Sequence, residues 1–241
     1  MDRKYLCSIL TAALAVITYA QGGTTGLIIA TDTASIGDSG PASTKNLLSA
    51  LGTDNGASES FAVAQFDTSK FGISSVQSVD SLTLQLTQAD SVSSIGGQVN
   101  FYITTDNETS LATGSTPTFQ PNDPTGTGIG TQFQTTYLLD TRNFLSNGTG
   151  AVDDYTFYLY NQLPAVQKYL LNTIKSAGTL RFLVAPAGSS GSNGLGNQVA
   201  ATWAGISNPT PNPILPGNVT LTPPQLSIGY TPVPETSTAA L

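Results

Sequence analysis

Apolar and polar side chains alternate along many short segments of the chain. Residues 82–87 read Leu-Thr-Leu-Gln-Leu-Thr, and residues 99–104 alternate in the same way. Because successive side chains of a β-strand point to opposite faces of a sheet, this period of two predicts strands with one buried and one solvated face. Further segments of strand length lie at 155–160, 179–185, 199–205 and 224–230, while 61–66 alternates less cleanly. The pattern is typical of an antiparallel β-sandwich.

The register of these segments predicts which side chains form the core. A slip of one residue would turn every one of them toward solvent, so their burial tests the register directly. We expect the core to contain Leu82, Leu84, Leu86, Phe101, Ile103, Phe157, Leu159, Phe182 and Val184.

One segment, 164–178, has helical periodicity instead. It begins with Pro and ends with Gly, residues that are common at the two boundaries of a helix. We therefore predict one short amphipathic helix packed across a sheet. Its buried face is expected to carry Val166, Leu170, Ile174 and Ala177.

Four long polar inserts separate the predicted strands. They are rich in Ser, Thr, Asn, Gly and Pro, which favour turns. We interpret them as surface loops, the part of a β-sandwich that often carries function. The inserts span 43–60, 113–132, 188–198 and 207–224.

The first 20 residues have the layout of a secretory signal peptide. Arg3 and Lys4 precede a mostly apolar run over 5–17, and Thr18 and Ala20 place small residues before a cut. This layout predicts cleavage before Gln21. The alternative is a transmembrane anchor, but the apolar run is shorter than the roughly 20 residues that a membrane span needs.

Removal of residues 1–20 takes away the single Cys of a chain that has no His. It also removes two of the eight basic and one of the fifteen acidic residues, which leaves a net charge of −8. Without basic runs or patches, the mature chain is not expected to bind nucleic acid or an anionic membrane surface. We predict a secreted or cell-surface domain, not embedded in the membrane, whose fold rests on its core without disulfides.

The order of the segments resembles two groups of bacterial proteins. A strand with Phe-Asp-x-Ser leads into Ser-Leu-x-Leu-x-Leu within 62–88, and a second strand follows at 99–107. A short helix, the strand 179–186 and the closing segment 223–231 come later. This order is similar to DNRLRE-type jelly-roll domains of secreted proteins and to β-sandwich domains of PEP-CTERM proteins. The resemblance covers most of residues 26–230, implies an all-β, jelly-roll-like antiparallel sandwich, and supplies no catalytic residues. With the signal peptide removed, we assign the domain to 21–230.

Residues 231–241 resemble the PEP-CTERM sorting signal. The family pattern has Pro where this chain has Thr236, and it continues with an apolar span and an Arg cluster that do not follow here. We expect a disordered tail, truncated before its membrane span. The resemblance implies a sorting protease as partner, a Gram-negative source, and association with exopolysaccharide. The matching positions are Val233, Pro234, Glu235, Ser237 and Thr238.

Few side chains are suited to catalysis. Without His or Cys, the mature chain lacks the usual general base, the thiol nucleophile and the nitrogen and sulfur ligands of zinc sites. A glycoside hydrolase needs only two carboxylates, but most Asp residues here lie in turn-like settings that favour Asp without any catalysis. We predict no catalytic residues and no organic cofactor.

Structural calcium is the metal that the remaining side chains could bind, because calcium prefers carboxylate and carbonyl oxygens in turns. The alternative interpretation is that these turns are simply solvated, and no EF-hand-type loop is present. The candidate ligands are Asp106, Glu108, Asp153 and Asp154.

Aromatic side chains could form a platform for sugars. Tyr158 and Tyr160 share one side of a predicted strand, or else they cap the edge of the core. Trp203 is the single Trp, and for it we favour burial in the core.

The sequence leaves three alternative hypotheses for the function. The first is a non-enzymatic cell-surface or extracellular-matrix protein, the second a carbohydrate-binding module, and the third a carboxylate-dependent glycoside hydrolase. An exposed aromatic row would favour the second, and two carboxylates lining a cleft would favour the third.

Overall fold

The structure is a computed structural model that describes residues 22–52, 59–73, 75–89, 94–120, 128–187, 199–208 and 221–234. The predicted signal peptide, the insert 188–198 and the tail from residue 235 onward lie outside these residues.

Within the described residues, the chain forms two antiparallel β-sheets packed face to face, with one α-helix. The predicted all-β sandwich with one short helix is therefore confirmed. The elements are β1 (Gly23–Thr24), β2 (Ile28–Ile29), β3 (Asp32–Gly37), β4 (Gly40–Pro41), β5 (Leu47–Gly52), β6 (Ser60–Asp67), β7 (Ser78–Thr87), β8 (Gly97–Thr104), β9 (Thr136–Phe144), β10 (Val152–Tyr158), α1 (Pro164–Lys175), β11 (Thr179–Pro186), β12 (Val199–Ala204) and β13 (Gln225–Thr231), with 3-10 turns at Thr68–Phe71 and Leu159–Asn161.

The first sheet, sheet A, has the strand order β1-β13-β7-β10, with β2 also paired to β13. The second, sheet B, has the order β12-β5-β6-β11-β8-β9, with β3 paired to both β4 and β6. Long stretches of chain separate many of the paired strands, as in the pairing of β13 with β7. A fold of this kind depends on contacts that are distant in sequence.

The main core lies between the two sheets. All nine side chains predicted to be buried have at most 1% of their surface exposed. Rings from the two sheets meet there: the centroid of Phe101 on β8 lies 4.4 Å from that of Tyr155 on β10. The predicted register is therefore correct.

Sheet B has a second buried face, which the sequence did not indicate. Part of the insert 113–132, predicted to be a surface loop, covers this outer face together with neighbouring residues. Phe119 of the insert and Phe133 just after it are 3% and 4% exposed. The Phe119 ring fits only because position 128 is Gly, where an added Cβ would lie 2.0 Å from the ring. This second cluster contains Ala34, Ile36, Phe61, Val63, Leu111, Phe119, Ile129, Phe133, Leu183 and Ala185.

The covered face explains why two central strands alternate poorly. Side chains on both faces of β11 are buried, so apart from Arg181 the strand is a continuous apolar run after Thr179. The first five residues of β6 are likewise all buried, and the four that follow Ser60, up to Ala64, are all apolar.

The prediction of a loop over 43–60 is wrong in its central part, because Leu47–Gly52 forms β5 and pairs with β12. Its sequence, Leu-Leu-Ser-Ala-Leu-Gly, shows no clean alternation of apolar and polar residues.

Helix α1 is confirmed, and it contacts both β7 of sheet A and β11 of sheet B. Val166, Leu170 and Ile174 are buried in the main core as predicted. Ala177 is not part of the helical face: the helix ends at Lys175, and Ala177 is exposed with a φ of 53°.

Candidate functional site

Asp106, a predicted calcium ligand, lies in a buried network just after β8. Its Oδ1 accepts hydrogen bonds from the backbone N–H groups of Glu108 at 2.9 Å and Thr109 at 2.8 Å. Its Oδ2 accepts from the Thr109 hydroxyl at 2.6 Å and from the Gln134 N–H at 3.3 Å. Both oxygens are therefore engaged by protein donors.

Arg181 of β11 is the cation of this network. The side chains of Arg181 and Asp106 are only 6% and 5% exposed, and Arg181 Nη1 lies 3.8 Å from Asp106 Oδ1. The guanidinium also donates to the carbonyls of Asp106 and Thr109 and to Gln65 Oε1. It thus joins β6, β11 and the turn after β8.

The electrostatics of this network favour its charged form. Burial alone would raise the pKa of Asp106, but the hydrogen bonds from Thr109, Glu108 and Gln134 hold that pKa below its ordinary value. Burial lowers the pKa of Arg181, and the carboxylate of Asp106 opposes this change.

Asp153, the second candidate ligand, lies in a different network on β10. Trp203 Nε1 donates to Asp153 Oδ2 at 2.9 Å, and Gln88 Nε2 donates to Asp153 Oδ1 at 2.9 Å. The Tyr155 hydroxyl is a further hydrogen-bond partner. Because β10 belongs to sheet A and Trp203 to β12 of sheet B, this carboxylate ties the two sheets together.

Gln88 is the fully buried centre of this second network. Its Nε2 also donates to the Leu145 carbonyl at 2.7 Å, and its Oε1 accepts from the Asn147 N–H at 3.0 Å. Its amide is therefore satisfied in both directions, as a buried amide must be if it is not to destabilise the fold.

The pKa of Asp153 is raised above its ordinary value. Burial raises that pKa, the hydrogen bonds from Trp203, Gln88 and Tyr155 offset the rise only in part, and the charge of Asp154 adds to it. Burial likewise raises the pKa of Tyr155.

These contacts do not support calcium binding at the four predicted ligands. Asp153 and Asp154 are adjacent in a strand, so their side chains point to opposite faces of the sheet and cannot share an ion. Asp106 is turned inward onto protein donors while Glu108 is exposed. Among the described residues, no three acidic side chains converge as a metal site would require.

The three aromatic candidates are divided between the core and the surface. Trp203 is fully buried against Phe144, with ring centroids 5.4 Å apart, so it cannot contact a sugar. Tyr158 and Tyr160 are 56% and 75% exposed, and their ring centroids lie 5.9 Å apart at an angle of 40°. They do not share one side of a strand, because β10 ends at Tyr158 and a 3-10 turn places Tyr160 beside it.

A groove of about 320 Å³ lies between the start of β7 and helix α1. Gln167 on its helix wall donates from Nε2 to the Leu159 carbonyl at 2.8 Å, and Leu159 stands between the two exposed tyrosines. On its strand wall, Ser78 donates to Asp80 Oδ1 at 2.7 Å. The lining residues are Gln77, Ser78, Val79, Pro164, Gln167, Lys168 and Leu171.

The predicted sorting motif begins where the sheet ends. The closing strand was expected to end near Tyr230, and it ends at Thr231. The prediction of a disordered tail from residue 231 onward is wrong for Thr231, which contacts the domain. Its hydroxyl donates to Asp80 Oδ2 at 2.8 Å, and its carbonyl accepts from the Gln77 N–H. Val233 and Pro234 are exposed, and Glu235, Ser237 and Thr238 lie outside the described residues.

Three residues that organise these sites, Arg181, Gln88 and Gln167, were missed by the sequence analysis. Arg181 did carry a signal, since a single charge within the apolar strand 179–186 indicates a buried charge that needs a partner. No pattern in the sequence distinguishes Gln88 or Gln167 from the other glutamines.

The chain matches no known protein-family model and no curated protein sequence. In the part of the chain that the structure describes, no helix is long and apolar enough to cross a bilayer.

Proposed function

We propose that this chain is a non-enzymatic β-sandwich protein, exported to the cell surface or extracellular matrix of a Gram-negative bacterium and associated there with exopolysaccharide. The observation that supports the non-enzymatic part is the engagement of the candidate carboxylates. Asp106 and Asp153 accept hydrogen bonds that hold strands and turns together, and none of the seven residues lining the groove is acidic.

The export part of the proposal rests on residues 1–20 and on the sorting-like motif after Thr231. A sorting protease would be the partner that reads the motif. Because residues 1–20 resemble a cleaved signal, the exported chain is expected to begin at Gln21.

Expression of the whole chain in a Gram-negative host tests export. We expect N-terminal sequencing of the protein outside the cytoplasm to begin at Gln21. A charge within the apolar run, Leu14→Arg, should retain the chain in the cytoplasm with Met1 in place, whereas the matched variant Leu14→Val should be exported normally. Retention of the unmodified chain in the cytoplasm would contradict the proposal.

A second candidate function, a carbohydrate-binding module, is favoured by the exposed pair Tyr158 and Tyr160. Tyrosines supply a flat apolar ring and a polar tip, the combination by which proteins hold ligands that are apolar on one side and polar at the edge. This function is compatible with the first, since a matrix protein can be retained by the polymer around it.

The glycoside hydrolase alternative makes a different prediction. A hydrolase would release reducing ends from a polysaccharide that it binds, whereas the proposed function predicts no release during prolonged incubation. Any release that Asp106→Asn or Asp153→Asn abolished, with the fold intact, would overturn the non-enzymatic proposal.

A further inference from the structure

We propose that the groove between β7 and α1, together with Tyr158 and Tyr160, forms one binding site for a neutral polysaccharide. The proposal rests on the carbohydrate-binding candidate above, and it adds the location of the site and the charge class of the ligand.

Two contacts connect the elements that line the groove to the elements that carry the tyrosine pair. Tyr158 is the register partner of Ser81 on β7, three residues after Ser78 on the strand wall. Gln167 on the helix wall donates from Nε2 to the carbonyls of Leu159 and Gln162, at 2.8 Å and 3.1 Å. The turn that carries Tyr160 is therefore hydrogen-bonded to α1, which forms one wall of the groove. Strand β10, which precedes this turn, pairs with β7, which forms the other wall.

The shape of this surface suits a polymer of sugar rings. A volume of about 320 Å³ is at the small end of ligand-binding cavities, which span roughly 300–1,000 Å³, so the groove suits one or two rings. The neighbouring tyrosines extend the surface beyond the groove, so that further rings of the same polymer could stack there.

The chemistry of the lining fits a pyranose. The C–H face of such a ring is apolar and stacks on an aromatic ring, while its hydroxyls at the edge hydrogen-bond to amides, hydroxyls and ammonium groups. Gln77, Ser78 and Lys168 provide such groups, and Val79, Pro164 and Leu171 provide apolar walls. Polar groups that converge beside apolar walls are the usual composition of a ligand site.

The charges favour a neutral polymer over a polyanion. Lys168 is the only charged residue of the lining, and the carboxylate of Asp80 follows the strand wall directly. The whole chain has a net charge of −7, which repels a polyuronate at low ionic strength. Lys168 therefore acts as a hydrogen-bond donor to hydroxyls and not as an anchor for a carboxylate.

Affinity electrophoresis of the purified full chain tests the proposal, with a soluble β-glucan and a mannan as neutral probes and alginate as the anionic probe. We expect at least one neutral polymer to retard the chain and alginate not to. The double variant Tyr158→Ala/Tyr160→Ala should bind about tenfold more weakly, as expected for the loss of aromatic anchors. Tyr158→Phe/Tyr160→Phe should stay within about twofold of wild type, because the ring faces remain.

Val152→Ala is the matched control, since Val152 is 57% exposed at the opposite end of β10 and should not affect retardation. Lys168→Gln should weaken binding of the neutral polymer only slightly, because the amide still donates. Both tyrosines are exposed, so thermal melting of every variant should match wild type and exclude loss of the fold as the cause.

Three results would overturn the proposal: no retardation by either neutral polymer, retardation that the double alanine variant leaves unchanged, or binding to alginate alone. Export is measured by N-terminal sequencing in cells and binding by electrophoresis of the purified chain. The proposed export and the proposed site can therefore fail independently.

Discussion

Asp106 is buried and Asp153 is half-buried, and both are bound to protein donors, yet their pKa values move in opposite directions. Asp106 accepts from backbone N–H groups of a tight turn and faces the guanidinium of Arg181. Asp153 accepts from neutral side chains of Trp203 and Gln88.

The difference shows what stabilises a carboxylate inside a β-sandwich. Several fixed N–H donors outweigh the cost of burial, and a nearby cation favours the same charged state. A few side-chain amide or indole donors do not fully offset that cost. The first network therefore favours the ionised carboxylate, whereas the second only tolerates it while joining the two sheets.

The largest expected effect is the loss of the cation from the first network. Arg181→Met should lower the free energy of unfolding by about 3–5 kcal/mol, because it leaves Asp106 as an unpaired buried charge. Urea denaturation measures this change. The control Arg142→Met removes an arginine that pairs with the half-exposed Asp140, and it should cost about 1 kcal/mol or less. Equal losses in the two variants would contradict the proposed importance of burial.

The two carboxylates should respond differently to neutralisation. Asp106→Asn should lower the free energy of unfolding by about 2–3 kcal/mol. The amide NH2 cannot accept a hydrogen bond from the N–H groups around it, and Arg181 loses its counter-charge. Asp153→Asn should cost about 1 kcal/mol, because removing a disfavoured charge offsets part of the lost hydrogen bonds. Urea denaturation at pH 7 compares them, and a larger loss for Asp153→Asn would reverse the interpretation.

Removal of the indole donor sharpens the comparison. Trp203→Phe should cost about 1–2 kcal/mol, since the ring still fills much of the core but no longer donates to Asp153. The pKa of Asp153, followed by carboxyl NMR titration, should rise further in this variant while that of Asp106 stays the same. An unchanged Asp153 pKa would show that the indole donor does not stabilise its charge.

The smallest expected effect, about 1 kcal/mol or less, concerns the pH dependence of the free energy of unfolding. It should differ in sign between the two comparisons of wild type with Asp106→Asn and with Asp153→Asn. The folded pKa of Asp106 is lowered, so the advantage of wild type over Asp106→Asn is complete above about pH 4, the unfolded value, and is lost as pH falls through the folded pKa. The folded pKa of Asp153 is raised, so wild type gains stability relative to Asp153→Asn as pH falls through that pKa toward about 4. Unfolding at several pH values measures both differences, and slopes of the same sign would contradict the assignment.

The fold could be predicted where each strand has one wet and one buried face. β7 and β8 have this arrangement, so their alternation gave the correct register. β6 and β11 could not be interpreted in this way, because a cover formed by Phe119, Phe133 and their neighbours buries the outer face of sheet B. That cover has a few apolar residues among Gly, Pro and Thr, and such a sequence shows no periodicity.

The candidate sites were predictable only as single residues. Asp106, Asp153 and the exposed tyrosines could be identified by residue type. Arg181, however, lies 75 residues from Asp106, and Trp203 lies 50 residues from Asp153. Topology alone brings Arg181 to Asp106 and Trp203 to Asp153. The placement of Tyr160 depends on a 3-10 turn that begins where the apolar pattern still indicated a strand.

The pairing of β1 with β13 determines how the sandwich responds to mechanical load. Gly23 lies opposite Tyr230 and Thr24 opposite Gly229, so the chain enters and leaves sheet A at the same end of one antiparallel pair. A pulling force between residues 22 and 232 therefore opens this pair like a zipper, and its hydrogen bonds break in succession instead of together. The next contacts to be loaded are the two bonds between Thr25 and Ile228, at 3.0 Å and 3.1 Å. A domain held at these two points yields first at the edge of sheet A, while the doubly covered strands β6 and β11 remain intact.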